Sequence, residues 1–281
     1  MVNMNRLNRK RFNFLMVTIL AFAIGAIFFF LPNRIYLGIN SVDLKTDIEL
    51  DDKPILKAYP YNDILADSYI IYDNTAKKIL IQKDNTPKPL ASVTKLMTAL
   101  ISMHYCQDTI IYKDKEIKKA DAVEMMLVES SNEIAEALAN ICPNREDFIQ
   151  NMNSTARDLG LSMTFINPSG LDENNETESS AFGSPSDVAI LINKLYLDYP
   201  TILESTSFSI FNGIKNTNNY ASNWPFLLGS KTGYTDVAHG NLAILFEPIP
   251  NKRISIVVLG STKEDRFTDV QKLMNWYLKR L

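Results

Sequence analysis

From Phe12 to Leu31 the chain is apolar at every position except Asn13, Thr18 and Gly25. A helix of about 20 residues rising ~1.5 Å each spans a bilayer core of ~30 Å. Arg6, Arg9, Lys10 and Arg11 precede the run. A basic flank stays in the cytoplasm and sends the rest of the chain outside. The pattern predicts a cytoplasmic tail (1–11) and a transmembrane signal anchor (12–31). A cleaved signal peptide is the alternative, but Phe28-Phe29-Phe30-Leu31-Pro32 offers no small-x-small cleavage site.

Polar and apolar residues then mix through 32–66, with Asp47, Glu49, Asp51 and Asp52 clustered before Pro54. This stretch reads as an extracytoplasmic linker, although Ile55, Leu56, Tyr59 and Tyr61 are unusual in a free one. Two β-prone runs, 68–72 and 78–83, flank Asp73-Asn74-Thr75 and predict a hairpin. Val93, Leu96, Met97 and Leu100 fall at helical spacing and predict a helix starting near Ser92. Further helices are expected over 120–128 and 133–140. Another follows Asn144, with Phe148, Met152 and Leu159 inward and Gly160 as its stop. Ser184-Pro185-Ser186-Asp187 has the capping serine, first-turn proline and third-position acid of a helix start. Strands are expected over 207–211, 228–232, 241–247 and 254–259, and a closing helix over 265–281. The order implies one α/β (α+β) body over 67–281: a mainly antiparallel sheet covered by helices, with a helical subdomain inserted in the middle.

The formal net charge of −3 offers no basis for a nucleic-acid partner. Cys106 and Cys142 are the two cysteines, and both are read as buried free thiols. A disulfide stays open, because sequence supplies no distance between them. Neither cysteine, nor His104 or His239, has a companion at metal-ligand spacing, so no metal or other cofactor is expected.

Three short polar motifs carry the candidate chemistry. In Ser92-Val93-Thr94-Lys95 the serine and lysine are three residues apart and meet on one helical face. A neutral lysine there can take the serine proton and make a nucleophile, provided burial lowers its pKa. Ser130-Ser131-Asn132 supplies a hydroxyl for proton transfer and an amide for a peptide backbone. Lys231-Thr232-Gly233 puts a cation and a hydroxyl on a strand whose glycine admits close approach. The N–H groups of Tyr234 and Ser92 are candidates for an oxyanion hole. Each motif alone has an ordinary structural reading: a capping serine, an interhelical turn, a lysine protecting an edge strand.

The ordered set resembles the low-molecular-mass penicillin-binding proteins, the serine-type D-alanyl-D-alanine carboxypeptidases of the β-lactamase/transpeptidase-like fold. Phe165-x-Asn167-Pro168-x-Gly170-Leu171, Ser179-Ser180-Ala181 and Lys231-Thr232-Gly233-Tyr234-Thr235-Asp236 extend the likeness over about 68–281. The resemblance implies hydrolysis of a stem peptide ending in D-Ala-D-Ala. Ser92, Lys95 and Ser130 are then catalytic, and Asn132, Lys231, Thr232, Gly233 and Tyr234 bind substrate. It also implies β-lactam antibiotics as covalent inhibitors and a membrane-anchored enzyme outside the cell. The alternatives are a DD-endopeptidase cutting peptidoglycan cross-links and a penicillin-binding sensor without turnover. The interval from Ser92 to Ser130 is short for the family. A small hairpin is therefore read as missing there, which opens one wall of the cleft.

Overall fold

The computed structural model describes residues 63–173 and 178–281. The expected tail, membrane span and most of the linker lie outside them. The described chain opens with strands β1 (Ser68–Asp73) and β2 (Lys78–Lys83), then β3 (Lys88–Pro89), a 3-10 turn (Ala91–Thr94) and α1 (Lys95–Tyr105). A hairpin of β4 (Thr109–Tyr112) and β5 (Lys115–Lys118) precedes α2 (Lys119–Glu129), α3 (Asn132–Asn140) and α4 (Arg145–Asp158). Short strands β6 (Thr164–Phe165) and β7 (Ala181–Gly183) lead to α5 (Pro185–Asp198) and α6 (Pro200–Glu204). After β8 (Ile210–Phe211) and β9 (Ile214–Lys215) come β10 (Leu227–Thr235), β11 (His239–Ile249), β12 (Lys252–Ser261) and α7 (Asp265–Leu278).

The main sheet has the order β10-β11-β12-β1-β2, and every pairing is antiparallel. Successive side chains of a strand face opposite sides, and both sides are used. Ile70, Ala243, Leu245, Val257 and Leu259 join the core formed with α1 to α5. Their neighbours Tyr69, Ile71, Leu242, Ile244, Ile256 and Val258 face the opposite way, onto Val270, Leu273, Met274 and Tyr277 of α7. Each such buried aliphatic contributes roughly 1.5–3 kcal/mol of burial. Ile64 and Ala66, inside the expected linker, are buried here too. The N–H groups of Leu65 and Ala66 donate to the Asp269 carboxylate at 3.1 and 3.0 Å.

Three expectations need correction. Cys106 and Cys142 form a disulfide, with Cα atoms 4.7 Å apart, and are not free thiols. Cys106 ends α1 and Cys142 follows α3, so tertiary packing of two helices brings them together. The hairpin read as missing is present as β4–β5. Its two-residue turn is Lys113-Asp114, both at positive φ (50° and 59°). This is the backbone of the tight hairpin turn usually carried by Asn-Gly. Of the strand expected over 207–211 only Ile210–Phe211 is extended, and Ser207 ends a 3-10 turn, Ser205–Ser207. Ser205, Thr206 and Ser207 each donate a hydroxyl to the carbonyl three residues back. Such local bonds compete with strand formation.

Candidate active site

Ser92 sits in the 3-10 turn, and the α-helix begins only at Lys95. In 3-10 geometry residues i and i+3 eclipse, so Lys95 stands directly over Ser92. The Lys95 Nζ donates to Ser92 Oγ at 2.9 Å. The preceding residue, Ala91, has φ +47°, a left-handed conformation that a side chain resists. Gly170 holds it there: a Cβ on Gly170 would overlap the Ala91 carbonyl. The 167–171 loop that carries Gly170 is itself organised by Asn167. Its Oδ1 accepts from Gly170 N–H at 2.8 Å, and its Nδ2 donates to Leu171 O at 2.9 Å.

Lys95 is fully buried. Besides Ser92, its Nζ donates to Asn132 Oδ1 and Ser169 O, both at 2.6 Å. Burial lowers its pKa to about 7, against a smaller opposing pull from the Glu136 charge. Asn132 is the first residue of α3, whose capping residue is Ser131. Ser130 ends α2 in the left-handed conformation (φ 62°, ψ 37°). This turn between helices presents Ser130 to Lys231, whose Nζ donates to Ser130 Oγ at 2.9 Å.

Lys231, Thr232, Gly233 and Tyr234 follow one another along β10, the edge of the sheet. Gly233 passes so close to the nucleophile turn that a Cβ would lie 2.8 Å from Leu90 O. Lys231 is buried, and its pKa is well below the usual lysine value because of burial and the nearby Lys95 and Arg266 charges. Thr232 Oγ1 donates to Thr217 Oγ1 at 2.7 Å. Tyr234 is partly exposed, its hydroxyl donating to Asp236 Oδ1 at 3.1 Å and its ring under Lys263 Nζ at 5.1 Å.

The structure thus brings seven of the eight predicted residues into one cluster, joined by hydrogen bonds or close packing. The Tyr234 side chain turns away from the two lysines. The arrangement can deprotonate a serine, relay a proton through a second hydroxyl and hold an anion.

A model of the D-alanyl-D-alanine carboxypeptidase family matches residues 104–263. The chain belongs to that family. The match begins beyond Ser92 and Lys95, whose place in the site rests on the distances above. The D-alanyl-D-alanine endopeptidase of Escherichia coli K12 is 28% identical over 76% of this chain and 77% of its own. The D-alanyl-D-alanine carboxypeptidase DacF of Bacillus subtilis 168 is 27% identical over 75% of this chain. This chain spans only 61% of DacF's length. Penicillin-binding protein D2 of Listeria monocytogenes, solved in a cefotaxime-bound form, superposes with a TM-score of 0.67. It is 28% identical over 75% of this chain and 96% of its own. The fold is that of the penicillin-binding proteins, and the chain is a serine-type peptidase of this family.

Sequence reasoning missed three residues. Arg266, in the first turn of α7, is buried and donates from Nη1 to Gly233 O at 2.6 Å, while its Nε has no partner. Burial lowers its pKa to about 10. Its signal was an arginine on the stripe that continues through Val270, Leu273 and Tyr277. Thr217 ties Thr232 to the end of α2, its N–H donating to Val128 O at 3.0 Å. Asn241 donates to Pro89 O at 2.9 Å and accepts from Gly260 N–H at 2.9 Å, fixing β3 beside the sheet. Neither Thr217 nor Asn241 stands out from its neighbours in the sequence.

Proposed function

We propose that the chain is a membrane-anchored serine DD-carboxypeptidase that removes the terminal D-alanine of peptidoglycan stem peptides. One observation carries the reading. Lys231 and Arg266 are both buried at one short strand edge beside the Lys95–Ser92 pair, and neither forms an ion pair among the described residues. Unpaired buried cations are costly, and an anionic ligand offsets that cost. Beside a serine–lysine pair, a peptide C-terminal carboxylate has the required charge and position.

In this reading the terminal carboxylate binds Thr232 and Lys231, with the Arg266 guanidinium behind them. Asn132 positions the peptide. Ser92 Oγ attacks the carbonyl of the penultimate D-alanine while Lys95 takes its proton. The oxyanion is held by the N–H groups of Ser92 and Tyr234. The C–N bond then breaks, and the departing D-alanine amine receives a proton through Ser130. Water hydrolyses the resulting ester and frees Ser92. No metal or organic cofactor enters these steps. A β-lactam presents a similar carbonyl and carboxylate and acylates the same oxygen. The apolar run at 12–31 and its basic flank support a membrane anchor with the catalytic body outside the cell.

The test uses the full chain in detergent, a pentapeptide ending in D-Ala-D-Ala, and fluorescent penicillin. Free D-alanine, together with labelling that Ser92→Ala abolishes, is the expected result. Labelling without turnover would make the protein a sensor, and labelling that survives Ser92→Ala would displace the nucleophile.

A further inference from the structure

Three oxygens surround the Lys95 Nζ: Ser92 Oγ at 2.9 Å, and Asn132 Oδ1 and Ser169 O at 2.6 Å each. The ammonium form donates to all three. The amine that acts as a base has two N–H groups and one lone pair. An amide oxygen and a peptide carbonyl can only accept hydrogen bonds. They take both amine hydrogens, and the lone pair is left for the one neighbour that can donate, the Ser92 hydroxyl. A catalytic base is oriented by the groups that occupy its other positions. Two groups therefore orient Lys95. Asn132 is fixed by its place at the start of α3. The Ser169 carbonyl belongs to a loop, and its position depends on what holds that loop.

Asn167 holds it. The side chain is buried and makes five hydrogen bonds. Its Oδ1 accepts from Gly170 N–H at 2.8 Å and from the hydroxyls of Ser169 and Ser180, each at 3.2 Å. Its Nδ2 donates to Leu171 O at 2.9 Å and to Glu173 Oε1 at 2.6 Å. Ser169 is thus tied to Asn167 through its hydroxyl and to Lys95 through its carbonyl. A second tie comes from α1. Thr98, three residues after Lys95 and fully buried, donates from Oγ1 to Pro168 O at 2.5 Å. Two successive loop carbonyls, Pro168 and Ser169, are pinned by two side chains on one face of α1. Asn167 itself forms no hydrogen bond to Ser92 or Lys95 among the described residues. We infer that Asn167 is a positioning residue of the catalytic base. Through the Ser169 carbonyl it directs the Lys95 lone pair at the Ser92 hydroxyl, and Thr98 supports the same carbonyl pair. The role rests on the reaction proposed above, in which Lys95 takes the serine proton.

Penicillin acylation of the full chain, followed over a range of concentrations, separates the noncovalent Kd from the limiting acylation rate. Asn167→Ala should lower the limiting rate about 10- to 100-fold, the scale of a reacting group held about 1 Å out of line. The noncovalent Kd should stay within about twofold, because Lys231 and Thr232 lie on β10 and not on this loop. The deciding measurement is a cycle with Lys95→Ala. If Asn167 acts through the lysine, Asn167→Ala should slow the Lys95→Ala enzyme by less than about twofold. Thr98→Val keeps the shape and removes the bond to Pro168. It should slow the wild type about three- to tenfold, show the same dependence on Lys95, and carry the test if Asn167→Ala does not fold. Losses that persist undiminished in the Lys95→Ala background would overturn the positioning role and leave Lys95 as the base. Unchanged limiting rates in both variants would do the same. If Lys95→Ala is acylated as fast as the wild type, the base assignment falls and the positioning role falls with it.

Discussion

Lys95 Nζ and Ser92 Oγ lie 2.9 Å apart, at the junction of a 3-10 turn and the helix it starts. Two further acceptors, Asn132 Oδ1 and Ser169 O, surround the same nitrogen. Burial favours the amine, the Glu136 charge pulls less strongly the other way, and the pKa settles at about 7. Only the amine can take the serine proton. Acylation should therefore rise about tenfold per pH unit below 7 and level off above it. Lys95→Arg keeps the charge at every accessible pH and should lose 10²–10⁴-fold, the usual scale for a missing general base. Stopped-flow labelling with fluorescent penicillin between pH 5 and 9 measures both. A flat profile would remove Lys95 from the role of base.

Thr217 touches Thr232 but not the reacting atoms in the proposed mechanism, so it is a positioning residue. Its hydroxyl accepts from Thr232 Oγ1 at 2.7 Å. Thr217→Val keeps the shape and removes the bond. A hydrogen bond contributes about 1 kcal/mol net, so KM for the pentapeptide should rise about three- to tenfold. The value of kcat should move less than twofold. A fall in kcat at unchanged KM would show that Thr217 acts on the chemical step.

Gly170 should tolerate no side chain. Its φ of +77° is in the left-handed region, and an added Cβ meets both the Ala91 carbonyl and Thr94 Oγ1. Gly170→Ala should cost on the order of 3 kcal/mol or more, from strain together with overpacking. Urea denaturation gives the loss directly. Because Gly170 supports Ala91, penicillin acylation should fall even at low temperature, where the variant stays folded.

What could be read from the chain was its local periodicity. Leu242, Ile244 and Phe246 alternate with Ala243 and Leu245, and that pattern alone assigns two faces to β11. The start of α5 was equally legible, because Ser184 and Asp187 form a capping box across three residues. The β4–β5 turn was hidden because Lys113-Asp114 adopts positive φ without the glycine that usually marks it. The serine, lysine and asparagine of the site were legible as ordered motifs. Arg266 and Thr217 reach the cleft only through the docking of α7 and of the segment after β9. The apolar stripe of α7 marks Arg266 as inward-facing but does not show which strand it meets, and Thr217 carries no such mark.

The disulfide belongs to the same class of tertiary facts, and it joins two elements of the site. Cys106 caps the far end of α1, whose first residue is Lys95. Cys142 lies just past α3, whose first residue is Asn132. The two helices are thus linked covalently at one end and by the 2.6 Å Lys95–Asn132 bond at the other. The cysteines are separated by 36 positions, and closing a loop of that size restricts the unfolded chain by about 2–4 kcal/mol. Cys106→Ser with Cys142→Ser should lower unfolding stability by that amount. Reductant should have the same effect on the wild type and none on the double variant. With the far ends released, the Lys95–Asn132 distance depends on packing alone, so acylation by penicillin should also slow a few-fold at temperatures well below the midpoint. Chemical denaturation with and without reductant, alongside thiol counting on the unfolded protein, tests the link. Two titratable thiols in the unreduced protein, and a denaturation midpoint that reductant leaves unchanged, would return the pair to the buried free thiols that the sequence pattern first indicated.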